Sequence, residues 1–314
     1  MNMKKYLILS VVALSYQSVW AQSLLQQSFG SGANQFTMDF VTIGNPGNAA
    51  DTRWSLGPVG SVAYTYNLGK YEVSRGMIDK ANAEGSLGIT YQSSTADKPA
   101  MGISWYEAAK FVNWLNTNQG FQAAYKFDGS GNFQLWSPTD AGYNANNLFR
   151  NSLAKYVITS RDEWYKGAYG NLNGTWNMYP TGSNDEPSHV ADGISANTAV
   201  YWQFGPADIT SAGGLSPWGT MGQGGNAWEW METAYDGIND TAGEAREFRG
   251  GYFFMTGDNG ISGDLAASNR FGSNPSGVYY GPEDGFRVAS VPEPSALSLI
   301  VVGLSGLALI RRRK

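Results

Sequence analysis

Residues 224–230 read Gly-Gly-Asn-Ala-Trp-Glu-Trp, and no other stretch of the chain limits the fold so sharply. In an extended segment side chains alternate between faces. Trp228 and Trp230 then share one face and Glu229 points the other way. The glycine pair ahead of them admits positive φ or a close backbone approach. The stretch therefore predicts a loop feeding a core strand, with both tryptophans in the core. A buried carboxylate needs a metal or a cation beside it. Two partners for Glu229 follow from the sequence: a metal ion, or a buried arginine such as Arg249 or Arg287.

The rest of the chain has the same character. Forty glycines and 14% aromatic residues describe a loop-rich domain held together by aromatic packing, too aromatic for disorder. Two helices are well marked. Ser104-Trp105-Tyr106-Glu107 and Ser160-Arg161-Asp162-Glu163 are capping boxes, which gives Glu107 and Glu163 structural roles as N3 caps. Behind the first box, Trp105, Ala108, Ala109, Val112 and Leu115 fall on one helical face. Ser74 is positioned to cap a further helix carrying Met77, Ile78 and Ala81. Strands are expected at residues 36–43, 62–66, 228–231, 247–254 and 285–290, whereas residues 126–155 look like an insertion.

Both ends read as processing signals. Lys4 and Lys5, a short apolar run and the Val19-Trp20-Ala21 sequence form the pattern of a secretory signal peptide over residues 1–21. Residues 22–35 read as a linker. The apolar run at 296–310 is shorter than the ~20 residues a bilayer span usually needs, and four basic residues follow it. Removing both ends takes six of the 21 basic residues and one of the 26 acidic ones, leaving a net charge near −10. Nucleic acid is a poor partner for such a surface. With no cysteine, the chain has no disulfide, thiolate or iron–sulfur chemistry. The single histidine, His189, sits in a turn-like Pro187-Ser188-His189 context that suits a solvated residue better than a catalytic one.

Six segments in order resemble the formylglycine-generating enzyme, or sulfatase-modifying factor, domain family. They are Gly69-Lys70-Tyr71-Glu72-Val73-Ser74, Lys98-Pro99-Ala100-Met101-Gly102-Ile103-Ser104-Trp105, Ser160-Arg161-Asp162-Glu163-Trp164-Tyr165, Gly225-Asn226-Ala227-Trp228-Glu229-Trp230, Phe248-Arg249-Gly250-Gly251 and Gly285-Phe286-Arg287-Val288-Ala289. The resemblance covers residues 36–290. It implies an α+β, loop-rich, C-type-lectin-like fold with two main helices and small antiparallel sheets. Residues 291–314, with Val291-Pro292-Glu293-Pro294 ahead of the apolar run and basic tail, resemble the PEP-CTERM sorting signal. That resemblance implies export through a Gram-negative envelope, transient anchoring in the inner membrane, handling by a sorting machinery, and a cell-surface or extracellular destination.

Catalytic members of the family hold copper on two cysteines shortly after the Arg-Gly-Gly motif, and a sister branch holds iron on three histidines. Here Met255 falls near the first cysteine position and one histidine is all the chain has. A thioether does not replace a thiolate pair. No copper or iron is expected, and the domain reads as non-catalytic for either reaction. The resemblance also implies structural calcium, with carbonyls of Gly225 and Ala227 and the Glu229 carboxylate at one site, and Asn197 and Thr198, with Asp208, at another. Gly222 leaves the first of these short of a side-chain ligand. The function expected is binding of an extracellular polysaccharide or protein, with Trp136, Trp176, Tyr179, Trp202 and Trp218 as candidate contacts. The rival is an oxidoreductase or other enzyme of the family with non-standard residues, using Asp264, Glu283 and Asp284.

Overall fold

A computed structural model describes residues 24–55, 57–92, 95–254, 263–277 and 283–292. The expected signal peptide, most of the sorting segment and Met255 lie outside these residues. The first sheet takes strands β1 (Leu24–Phe29), β2 (Phe36–Ile43) and β3 (Tyr66–Gly69) from the N-terminal part. Helices α1 (Arg75–Gly85) and α2 (Trp105–Asn118) follow, then a small hairpin of β4 (Lys126–Phe127) and β5 (Phe133–Gln134) inside the expected insertion. Next come β6 (Tyr156–Ile158) and α3 (Arg161–Tyr169), and a parallel pair, β7 (Ser188–His189) with β8 (Thr198–Ala199). The second sheet is built from β9 (Trp228–Ala234), β10 (Arg246–Arg249), β11 (Phe271–Ser273) and β12 (Asp284–Gly285), and β13 (Val288–Ser290) ends the described chain.

The five-stranded sheet runs β1-β2-β3-β13-β6 and the four-stranded one β11-β10-β9-β12. The last strands of the chain thus close both sheets: β12 lies parallel to β9, and β13 pairs antiparallel with β3 and β6. This is the expected α+β fold with small, mostly antiparallel sheets. Among the described residues there are three α-helices, the two marked by capping boxes and α1, which Ser74 caps as expected by accepting from the Met77 amide. Both capping boxes form as the sequence predicts. Residues 22–35, expected as a linker, instead carry β1, paired with β2 over its full length. Phe29 explains the difference: it is fully buried against Phe36 and Tyr156, so the segment contributes to the core.

β6 is an edge strand, and its free backbone groups are covered from the side by α2. Asn116 is fully buried and makes four hydrogen bonds. Its Oδ1 accepts from the Lys155 and Tyr156 amides at 2.8 and 2.9 Å, and its Nδ2 donates to the Tyr156 and Val112 carbonyls at 2.7 and 3.0 Å. The Tyr125 hydroxyl accepts from the Ile158 amide on the same strand. A side-chain amide thus takes the place of a neighbouring strand. Replacing it by a similar-sized apolar group, Asn116→Leu, leaves buried backbone groups unpaired at ~1–3 kcal/mol each. We expect urea unfolding of this variant to show a loss of about 2–4 kcal/mol, against a fraction of that for the exposed control Asn132→Leu.

Candidate functional site

The 224–230 stretch behaves as its alternation predicts. Trp228 and Trp230 both pack edge-on to Phe248, while Glu229 points to the other face. That face is also buried. Both Glu229 oxygens are held by Arg287, Oε2 by Nε and Oε1 by Nη2, each at 2.6 Å, and the Trp164 indole N–H donates to Oε2 at 2.6 Å. Arg287 uses its remaining donors on the Gly69 and Met221 carbonyls at 2.9 Å. Arg249 lies opposite Glu229 in the β9–β10 register, yet pairs along its own strand with Glu247 at 2.5 Å. Of the two arginines expected for Glu229, Arg287 is the partner.

A calcium ion does not fit on Glu229, since the carboxylate is already neutralised by a bidentate guanidinium. Without it the Gly225 and Ala227 carbonyls alone are far short of the roughly six to eight oxygens calcium takes. Asn197 and Thr198 are no better placed. Their carbonyls accept from the Ser188 and Gly214 amides, the Asn197 Oδ1 accepts from Thr181, and Asp208 pairs with Lys98. Among the described residues no group of three His, Cys, Asp or Glu side chains is placed to hold a metal ion.

A second carboxylate at this centre has no counterpart in the sequence reading. Glu72 is buried, accepts from the Ala227 amide at 3.1 Å and from the Asn226 side chain at 2.6 Å, and lies near Glu229. Burial, and then the Glu229 charge, raise its pKa to about 8, against the pull of Arg287. Glu163 has a partner beyond its capping box. Arg150 bridges it to Glu232, and the Tyr64 hydroxyl donates to it at 2.6 Å. Arg150 lies in the supposed insertion, where no local pattern marked it.

Above this framework the chain turns outward. At Gly225, φ is +79° and an added Cβ would lie 2.1 Å from the Val200 carbonyl oxygen, so only glycine lets the two segments touch. Val200 leads into a loop whose tip is aromatic. Tyr201 is buried and anchors the loop through its hydroxyl to the Pro187 carbonyl at 2.5 Å. Trp202 follows at φ +55°, a conformation a bulky residue adopts only under constraint, and is 51% exposed. Phe204 is 99% exposed. Gly250 (φ +100°) then turns β10 toward the same place, and the Gln203 amide donates to the Phe253 carbonyl at 2.7 Å, joining the two loops. Phe254, 43% exposed, lies 6.3 Å from Phe204 between ring centroids, and His189 packs edge-on to Trp202 at 5.0 Å. Phe204 and Phe254 thus form an exposed aromatic shelf, with Trp202 two residues before Phe204 on the same loop tip.

Only Trp202 of the expected contacts lies at this loop tip. Trp218 is 1% exposed and is core, not surface. Trp136 is half-buried, its indole donating to the Ala124 carbonyl beneath Lys126. Trp176 packs on Tyr165, and Tyr179 against the Tyr201 cluster. Phe204 was missed because phenylalanine in a loop gives no periodic signal, the Gly205-Pro206 pair being the one local mark of a turn, and Phe254 because residues 247–254 read as one strand, which ends instead at Arg249 ahead of the Gly250-Gly251 turn. Of the rival acids, Asp264 accepts from the Asn269 side chain at 3.2 Å, Asp284 is buried in β12, and Asp264 and Glu283 both lie near Tyr252. Burial raises the pKa values of Asp264 and Glu283.

A model of the sulfatase-modifying factor enzyme 1-like domain matches residues 42–291, and one of the PEP-CTERM protein-sorting motif matches residues 290–314. Solved structures share the fold. Treponema denticola variable protein 1 superposes with a TM-score of 0.59 at 17% identity, over 85% of this chain and 99% of that one. CarF gives 0.57 at 16%, over 81% and 98%, and PvdO from Pseudomonas aeruginosa 0.52 at 15%, over 85% and 98%. At these identities the likeness is one of fold alone. No curated protein matches the chain by sequence.

Two outcomes follow from the buried charges. Glu229→Ala strands Arg287 and should cost about 3–5 kcal/mol in denaturant unfolding, while chelator leaves the wild-type midpoint unchanged. For Glu72, the folded chain holds a proton that the unfolded chain has released, between the ordinary glutamate pKa of 4.5 and about 8. Stability should therefore fall as pH rises through that window, and the fall should flatten in Glu72→Gln whatever that variant's constant offset.

Proposed function

Because the chain belongs to the sulfatase-modifying factor enzyme 1-like domain family and ends in a PEP-CTERM sorting motif, we propose that it is an exported, non-catalytic binding domain that holds a neutral extracellular polysaccharide at the cell surface. The observation that carries this reading is the exposed shelf of Phe204 and Phe254, with Trp202 on the same loop tip, whose rings are displayed rather than packed. Monomeric proteins rarely leave contiguous aromatic surface in water without a use for it. Aromatic faces stack on the apolar faces of sugar rings, and the Gln203 side chain, whose Nε2 donates to the Tyr201 carbonyl at 3.2 Å, offers its Oε1 as an acceptor for a hydroxyl. The net charge near −10 disfavours a polyanionic glycan and favours a neutral one.

The non-catalytic part of the proposal rests on the sequence. The chain has no cysteine to hold copper and a single histidine where the iron branch needs three. That histidine contributes an edge to Trp202, a packing role. Sorting through the C-terminal segment, with a passing stage in the inner membrane, would deliver the domain to the outside. Structural calcium elsewhere in the domain is not part of this reading.

Retention of the purified full-length chain on the producing cells' neutral exopolysaccharide tests it. Phe204→Ala and Trp202→Ala should each weaken saturable retention by about 5–30-fold, the equivalent of 1–2 kcal/mol. Because Phe204 is solvent-facing, its replacement should leave the unfolding midpoint nearly unchanged. Retention that is absent, or indifferent to both replacements, would sink the polysaccharide reading and leave a protein partner.

A further inference from the structure

Lys166 stands in the last turn of α3 and is 1% exposed, without a carboxylate to pair with. Its Nζ donates to the Asn45 carbonyl at 2.9 Å, and its other two N–H bonds have no acceptor among the described residues. Arg287, Arg150 and Arg249 each face at least one carboxylate, and Arg246, which is in contact with none, is covered instead by the Trp105 and Phe149 rings and two carbonyls. A buried ammonium with no counter-charge is unfavourable.

A second unused donor lies close by. Trp218 is 1% exposed, and its indole N–H is buried with no hydrogen-bond acceptor among the described residues. Lys166 and Trp218 both line a cavity of about 10 Å³ beside Gly170, with Asn45, Asn171 and Trp176 completing the wall. Lys166 is the one ionisable group among the lining residues, so nothing acidic faces the ammonium. The space is about that of one water and opens partly to solvent; a chloride, slightly larger, fits with a small outward shift of the lining, and sulfate, phosphate or a carboxylate needs a larger one.

We propose that this cavity is a binding site for a monatomic anion of the chloride class, held by the Lys166 ammonium and the Trp218 indole N–H. The two donors need an acceptor, and the lysine needs a negative charge; a halide supplies both and water only the first. Such an ion would fix the C-terminal end of α3 to the loops carrying Asn45 and Trp218. The lysine's environment fits the assignment. In the ion-free chain, burial lowers the Lys166 pKa to about 8, and an anion would restore the charged form.

The test is thermal unfolding of the purified full-length chain at pH 7 in sodium chloride and bromide, against sodium gluconate and sulfate at matched ionic strength. The midpoint should rise saturably with halide and not with the larger anions. Above about pH 8 the apparent halide affinity should fall about ten-fold per pH unit, because only the protonated lysine binds. In gluconate this group makes stability rise with pH between about 8 and the ordinary lysine value of 10.5, and halide should flatten that rise. Lys166→Met should abolish the halide response. Trp218→Phe keeps the ring, removes the donor and should weaken the response several-fold, which carries the test should Lys166→Met not fold. In bromide-soaked crystals an anomalous peak should lie beside the Lys166 Nζ. Equal responses to all four salts, or a halide response that survives in Lys166→Met, would overturn the site and leave water as the occupant.

Discussion

The Glu229–Arg287 pair is the contact on which the rest of this fold depends. Neither partner is exposed, and their bond is bidentate. Removing two charges from water costs several kcal/mol per ion, and the attraction between them offsets this only when every remaining donor is satisfied. Here they are: Arg287 adds the Gly69, Lys70 and Met221 carbonyls, and Glu229 adds Trp164. The guanidinium thus ties the end of β3, the loop before β9, and β9 itself to the short turn between β12 and β13. Those two strands close the two sheets, so one arginine links the sheets to each other. The presence of Glu72 in the same centre sharpens the constraint. Burial first, and then the neighbouring Glu229, raise the Glu72 pKa to about 8, although the Arg287 guanidinium pulls it down.

The sequence disclosed most where a rule is local. The capping boxes at Ser104 and Ser160 involve four consecutive residues, and both form. The alternation of Trp228, Glu229 and Trp230 set the faces of β9, while the sequence left calcium or a buried arginine such as Arg249 or Arg287 as the partner of Glu229. Illegible features depended on residues far apart in the chain. Arg150 reaches Glu163 and Glu232, the latter more than eighty positions away, from a segment without periodicity. β1 looked like linker because only Phe29 of its six residues is buried. Trp218 looked like surface because Gly, Ser and Pro surround it, yet a loop of small residues can fold over a tryptophan as well as display one. The aromatic loop tip was half legible: Trp202 was identified, and Phe204 was not, since exposure of an apolar residue is the outcome that hydrophobicity argues against.

An exported chain of this loop content would ordinarily be stapled by disulfides. This one has no cysteine, and buried arginines occupy the equivalent structural role. Arg287 joins carbonyls at Gly69 and Met221, Arg249 those at Ala267 and Asn269, and Arg150 reaches the Ile158 carbonyl while paired with Glu163 and Glu232. Each holds irregular segments that have no ladder of their own, and a planar guanidinium with five donors can bind a carboxylate and two carbonyls at once. The substitution has a consequence that a disulfide lacks. A disulfide acts largely on the unfolded chain, by restricting its freedom. A buried arginine acts on the folded chain and demands that its carboxylates and carbonyls sit within a few tenths of an ångström. The loops it holds are therefore fixed in position rather than merely tethered. The loop that carries Trp202 and Phe204 is reached by none of these arginines; the Tyr201 hydroxyl on the Pro187 carbonyl and the Gln203 backbone amide on the Phe253 carbonyl hold Trp202 at positive φ and Phe204 in solvent.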